Sequence, residues 1–156
     1  MKSIFLKNSF LWLVAIFFLS NSSFAQTLFF ERIYDETLSQ ASYVIGDTET
    51  KEVIVIDPKR DIDTYLEIAQ TNNLKITKIT ETHIHADFLS GSRELAAVTK
   101  APLYLSNEGG KDWQYDFPHT GLKDGDKISV GSITIEVIHT PGHTPESLTF
   151  LVTDGT

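Results

Sequence analysis

The stretch Thr82-His83-Ile84-His85-Ala86-Asp87 decides the fold of this 156-residue chain, because it places three potential metal ligands directly after a strand-like segment. Alternate side chains of an extended segment share one face, so His83, His85 and Asp87 are predicted to point to the same side. Two imidazoles and a carboxylate at a strand end form a ligand set suited to Zn²⁺, Fe²⁺ or Mn²⁺. The stretch therefore predicts a divalent metal site.

A second histidine-bearing loop, Thr140-Pro141-Gly142-His143-Thr144-Pro145, follows the strand-like residues 133–138. A single histidine in a loop is usually solvated or caps an element, but two such loops at strand ends favour a metal centre. His83 and His143 are therefore predicted to be metal ligands. His85 is either a third ligand or a residue that orients one of them.

Composition narrows the chemistry further. The chain contains no cysteine, which excludes disulfides, thiolate ligands and a cysteine nucleophile. Its formal charge of −8 and the lack of a basic cluster argue against nucleic acid or an anionic membrane as partner. The two remaining histidines, His119 and His139, are interpreted as ordinary loop residues.

The first 25 residues have the pattern of a cleaved export signal. Lys2 and Lys7 give a positive start, residues 10–19 are apolar, and Ser23-Phe24-Ala25 supplies a cleavage site that makes Gln26 the mature N-terminus. A membrane anchor is the alternative, but ten apolar residues fall short of the ~20 needed to span a bilayer. Export without cysteines favours a bacterial periplasm.

Hydrophobic periodicity predicts strands and helices that alternate in the middle of the chain, which indicates a mixed α/β layer fold. Ser90 or Ser92 is predicted to cap the second helix. Asp154-Gly155 is assigned to a turn. The predicted strands are residues 28–34, 41–45, 52–56, 76–80, 103–105, 127–130, 133–138 and 148–152, and the predicted helices are residues 61–72 and 93–99.

Residues 108–126 are predicted to form a long irregular connection, because they are rich in glycine and aspartate. Trp113, Tyr115 and Phe117 are spaced along this connection. They can line a pocket or anchor the loop onto the core, and anchoring is the favoured interpretation.

Together these motifs resemble the metallo-β-lactamase superfamily. The segment Glu81 to Phe88, with Ser90-Gly91-Ser92-Arg93-Glu94-Leu95, is similar to its persulfide dioxygenase branch, which includes forms fused to rhodanese domains. The resemblance implies an αββα sandwich with the metal site at the edge between two sheets. Residues 26–156 would form the N-terminal portion of that domain, incomplete at the C-terminus.

The resemblance also implies roles for the site residues. His83 and His143 would join a downstream aspartate in a two-histidine, one-carboxylate site that favours Fe(II), with Zn(II) as the alternative. His85 and Asp87 would orient ligands or accept protons. Phe88 occupies the position where the family often has histidine, which weakens a second metal site.

The implied activity is the oxidation of glutathione persulfide by O₂ to sulfite and glutathione. One alternative is a hydrolase of the glyoxalase II type, in which zinc-bound water attacks a hydroxyacylglutathione thioester. Another is a non-catalytic fragment, or half of a split protein, whose partner is a C-terminal half. A rhodanese partner is also implied. The family's next ligand aspartate falls beyond Thr156, and Asp154 is assigned to the turn rather than to the site.

Overall fold

The computed structural model describes residues 27–155, so the predicted signal peptide lies outside the described residues. None of the helices in that part of the chain is long and apolar enough to cross a membrane. In chain order the elements are β1 (Leu28–Asp35), β2 (Gln40–Asp47), β3 (Glu52–Ile56), α1 (Asp63–Thr71), β4 (Lys75–Thr80), α2 (Ser92–Thr99), β5 (Leu103–Ser106), β6 (Thr120–Leu122), β7 (Lys127–Val130), β8 (Ile133–His139) and β9 (Leu148–Asp154).

The first six strands form one mixed sheet in the order β1-β2-β3-β4-β5-β6. The pairs β1–β2 and β2–β3 are antiparallel, whereas β3, β4, β5 and β6 run parallel to one another. The carboxyl ends of parallel strands meet at one edge of a sheet, where α/β proteins commonly bind ligands. Asp57 after β3 and Glu81 after β4 therefore lie at the same edge.

The two helices cover one face of this sheet. Helix α1 buries Tyr65 and Ala69, which are four residues apart and so share one side of the helix. Helix α2 buries Leu95 in the same way. These side chains pack in one apolar cluster with the fully buried Val53 and Ile79 of the sheet.

The second sheet, in the order β7-β8-β9, packs on the other face. Its central strand β8 alternates in burial, and Ile133, Ile135 and Val137 are fully buried. They pack in a cluster with Ile54 and Ile56 of the first sheet. The order helix, sheet, sheet is that of an α/β sandwich, which confirms the predicted fold class.

The structure corrects the prediction for the long connection, because residues 108–126 are not irregular throughout. Residues Thr120–Leu122 form β6, which pairs with β5. Three residues are too few for a periodicity signal. A Cβ at Gly121 would meet the side-chain amide of Asn107, so a larger residue at this position would require the Asn107 side chain to move.

Two local predictions near chain turns were also wrong. Asp154 is the last residue of β9 and pairs with Ile133, so the strand ladder overrides the turn signal of Asp154-Gly155. Helix α2 has Gly91 as its N-cap. Ser90 still contributes at this helix end, because its Oγ accepts a hydrogen bond from Ser92 N at 3.0 Å.

Candidate metal centre

The three predicted histidine ligands lie together at the edge where the two sheets meet. The ring centres of His83 and His85 are 4.1 Å apart, and those of His83 and His143 are 5.0 Å apart. All three rings and Asp87 line one open cavity of about 240 Å³. His143 and Asp87 are exposed, whereas His83 and His85 are partly buried. The structure thus brings together the residues that the sequence singled out.

Two hydrogen bonds fix the second histidine loop against the first. Leu148 N, at the start of β9, donates to Thr82 O at 2.7 Å. Ile84 N donates to Oε1 of the fully buried Glu146 at 2.7 Å. The loop that carries His143 is therefore tied to both sides of His83, which explains why the rings of these residues are adjacent.

A single carboxylate orients two of the imidazoles. Asp57 accepts hydrogen bonds from Thr82 N at 2.6 Å and from Thr82 Oγ1 at 2.8 Å. Because the Thr82 hydroxyl donates its only hydrogen to Asp57, it must accept from His83 Nδ1, which lies 2.8 Å away. His85 Nε2 lies 3.2 Å from Asp57 Oδ1.

This arrangement leaves one nitrogen of each ring suitable for a metal. His83 Nε2 and His85 Nδ1 have no hydrogen-bond partner among residues 27–155. Burial and the neighbouring charge of His85 lower the pKa of His83, which favours the neutral, ligating form. A histidine ligand whose other nitrogen is held by a carboxylate or hydroxyl is the usual arrangement around protein-bound metals. The donor set therefore fits a divalent ion.

Beneath the imidazoles lies a buried acidic pair. Glu81 accepts a hydrogen bond from Ser90 Oγ, and its Oε2 lies 3.2 Å from His85 Nε2. Burial raises the pKa of Glu81. Burial alone would lower the pKa of His85, but its hydrogen bonds to Asp57 and Glu81 outweigh this effect and raise it. The imidazole and the two carboxylates therefore compensate one another's charge.

Asp57, Glu81 and His85 also form a possible metal-binding group, because their ligand atoms lie within 4.8 Å of one another. Both carboxylates face the Nε2 side of the His85 ring, at ion-pair distance. His83, in contrast, is oriented through its own Nδ1 by Thr82. We interpret the carboxylates as the support of the His85 ring, and the imidazole cluster as the candidate ligand set.

The other candidate residues lie elsewhere. His119 Nδ1 is 2.8 Å from Phe117 O, and His139 Nε2 is 2.8 Å from Pro145 O. Asp154 lies at the far end of the seven-residue strand β9 from the histidine loop, which corresponds to ~20 Å at ~3.4 Å per residue. Its Oδ1 accepts a hydrogen bond from Thr27 Oγ1 at 3.2 Å.

Comparison with known proteins identifies the family. The family model of the metallo-β-lactamase superfamily matches residues 36–156. The chain therefore belongs to the metallo-β-lactamase superfamily.

Its relatives include two proteins whose names state an enzymatic activity. The mitochondrial persulfide dioxygenase ETHE1 of Bos taurus is 31% identical, and the match covers 72% of this chain and 43% of that protein. Hydroxyacylglutathione hydrolase of Nitrosococcus oceani is 36% identical, with 69% of this chain and 40% of the relative covered. The chain thus spans less than half the length of either relative.

Solved structures agree with the fold. A metallo-beta-lactamase from Staphylococcus aureus superposes with a TM-score of 0.79 at 46% identity, over 82% of this chain and 38% of that one. ETHE1 from Myxococcus xanthus superposes with a TM-score of 0.71 at 30% identity, over 80% of this chain and 53% of that one.

Proposed function

We propose that the protein containing this chain is a persulfide dioxygenase with one iron per site. Glutathione persulfide, O₂ and water would give glutathione and sulfite, with release of two protons. The observation that carries the proposal is Phe88, whose ring centre lies 4.3 Å from that of His85. A phenyl ring next to Asp87 supplies no ligand for a second ion, whereas a two-metal hydrolase needs ligands on both sides.

The roles of this chain's residues follow from their contacts. His83 and His143 would hold the metal, with His85 as a third imidazole or as the residue that orients its neighbours. Fe(II) would supply the redox chemistry that O₂ requires and a binding position for the substrate sulfur. Asp57 keeps His83 and His85 in orientation through the hydrogen bonds described above. Asp87, exposed in the same cavity, would accept a proton released by the reaction.

The relatives extend well beyond the part that this chain matches. The proposal therefore concerns a protein that includes such a further part, and a carboxylate ligand from that part would complete this site. A rhodanese domain or protein would be a suitable partner, because it also handles persulfide sulfur.

The test is a metal-resolved assay. The full-length protein is loaded anaerobically with Fe(II), and O₂ uptake and sulfite formation are followed with glutathione persulfide. We expect one O₂ consumed per sulfite, with activity that is lost on chelation and absent from the zinc-loaded protein. Activity with zinc but not with iron would refute the proposal.

A zinc-dependent thioester hydrolase is the second candidate function. It is supported by the 36% identity to a hydroxyacylglutathione hydrolase over 69% of this chain. Zinc would acidify a bound water that attacks the thioester carbonyl. Hydrolysis of S-lactoylglutathione by the zinc-loaded protein, without O₂ uptake by the iron-loaded form, would favour this function.

Export is a separate proposal. We propose that residues 1–25 are removed and that the mature protein acts in the periplasm. N-terminal sequencing of the protein from the periplasmic fraction should give Gln26 as the first residue. Recovery of the uncleaved protein from the cytoplasm would contradict it.

A further inference from the structure

We propose that Arg93 binds a carboxylate of the thiol substrate in a recess beside the histidines. This inference rests on the proposed function for the identity of the thiol, and it adds a residue that sets substrate specificity. The recess has a volume of about 240 Å³ and lies between the first histidine loop, the start of α2 and the aromatic part of the long connection. Among the residues that line it are His83, His85, Phe88, Arg93, Tyr115 and Phe117.

The recess and the metal cavity share a wall. His83, His85 and Phe88 line both spaces, so a ligand whose sulfur lies at the imidazoles has its remaining atoms within reach of the recess. Thiol substrates such as glutathione carry carboxylates a few bonds from the sulfur. A cation in the recess would therefore meet a carboxylate when the sulfur is at the metal site.

Arg93 is the only lysine or arginine among the described residues that line the recess. Its guanidinium carbon lies 4.7 Å from the ring centre of Phe117, which holds the planar group in place by cation–π stacking. No carboxylate of residues 27–155 lies within ion-pair distance of it, whereas the nearby Arg60 is paired with Glu94. A stacked guanidinium with an open charge is well suited to bind a carboxylate through two hydrogen bonds.

The other polar groups of the recess are compatible with an anion. Glu81 is the one acidic residue of the described lining, and its charge is compensated by His85 and the Ser90 hydroxyl. The buried hydroxyl of Tyr115 has no hydrogen-bond partner among residues 27–155. Burial, then the charges of Glu81 and Glu146, raise the pKa of Tyr115, so its hydroxyl stays a donor.

The metal site leaves part of the sequence resemblance without a role. Arg93 belongs to the Ser90–Leu95 segment that resembles the persulfide dioxygenase branch, and the metal site does not use it. Tyr115 and Phe117 pack against the core and also line the recess. These two aromatic residues therefore both anchor the long connection and line a pocket. A place in substrate binding accounts for all three residues.

The test compares Arg93→Ala and Arg93→Lys in the full-length, iron-loaded protein. The matched control is Arg32→Ala, because the Arg32 guanidinium is stacked in the same way on Tyr34, at 4.6 Å, but lies on β1 and does not line the recess. Each protein is assayed with glutathione persulfide and with its diethyl ester, which lacks the carboxylates. Binding of glutathione itself is measured by calorimetry.

We expect Arg93→Ala to raise KM for glutathione persulfide about tenfold, as for the loss of one hydrogen-bonded charge, with little change in kcat. Arg93→Lys should give a smaller rise, because lysine keeps the charge but not the planar fork. The diethyl ester should be insensitive to both substitutions, and Arg32→Ala should match the wild type with both substrates. The Kd for glutathione should rise in parallel with KM.

Equal KM and Kd values for the wild type and Arg93→Ala would overturn the inference, as would an equal rise with the diethyl ester. Thermal unfolding of each variant separates these outcomes from loss of fold, and Arg93→Lys gives a second, milder substitution. The calorimetric arm is independent of the reaction. If no O₂ is consumed but glutathione binding depends on Arg93, the dioxygenase proposal fails and the recess assignment stands.

Discussion

Replacement of Asp57 by asparagine should weaken metal binding more than any other change outside the ligands. Asp57 holds His85 directly, at 3.2 Å, and holds His83 through the Thr82 hydroxyl. Asparagine keeps the shape of the side chain and removes its charge. It also tolerates the left-handed backbone of this residue, which has φ of 52°. The substitution therefore tests the orientation of the imidazoles rather than the backbone.

The magnitude follows from the contacts. Loss of one orienting partner of a metal ligand typically lowers metal affinity ~10–100-fold. Since one carboxylate here serves two imidazoles, we expect a loss of affinity near the ~100-fold limit, or about 2.8 kcal/mol at ~1.4 kcal/mol per factor of ten. Competition with a chelator of known affinity, under anaerobic conditions with Fe(II), measures the change in Kd for the full-length protein.

Asp47→Asn is the matched control. Asp47 is also buried and accepts hydrogen bonds from the backbone N–H groups of Glu49, Thr50 and Ser132, but it lies at the opposite end of the sheet from the histidines. The Asp47→Asn variant should have a lower free energy of unfolding than the wild type and the same Kd for metal. An unchanged Kd in Asp57→Asn, or an equal loss in both variants, would refute the assigned role of Asp57.

Three further predictions concern a second metal ion, the Asp47 carboxyl group and a buried tyrosine. Phe88→His should raise the metal content of the reconstituted protein from one to two ions per chain, because it adds an imidazole beside Asp87; elemental analysis that still gives one ion would contradict this. Burial raises the pKa of the Asp47 carboxyl, but the hydrogen bonds that it accepts outweigh burial and lower this pKa below the ordinary 3.8. The ionised Asp47 should therefore stabilise the fold above about pH 4, and this stabilisation should be lost as the pH falls further. Chemical unfolding should therefore show that wild type exceeds Asp47→Asn in free energy of unfolding by more at pH 7 than at pH 3. An equal difference at both pH values would argue against this role of Asp47. Tyr65→Phe should reduce the free energy of unfolding by about 1–3 kcal/mol, since it removes a buried 2.7 Å hydrogen bond to Ser42, and an unchanged denaturation midpoint would count against that contact.

The elements that could be predicted are those whose signal is local. Strand β3 matches its predicted bounds of residues 52–56, because an uninterrupted apolar run ends at Asp57-Pro58. The hairpin of β7 and β8 could be predicted from Gly131-Ser132, which lies between two apolar runs. The histidine loops could be located for the same reason, since each follows such a run.

The support of the metal site could not be predicted, because it depends on which strands become neighbours. Asp57 and Glu81 meet only because β3 and β4 are adjacent and parallel, and each carboxylate directly follows a buried strand. That position is a signal in the sequence that could have identified them. Glu146 offers no such signal, since its burial depends on the docking of one loop against Ile84 of the other.

The metal content of four full-length proteins tests the central claim most directly. Wild type, His83→Ala, His143→Ala and His119→Ala are reconstituted with Fe(II), freed of loosely bound ions by gel filtration, and analysed for metal and protein. The convergence of the His83 and His143 rings predicts about one ion per chain in wild type and His119→Ala, and almost none in the other two. Equal metal content in all four proteins would contradict the assignment of these histidines as ligands.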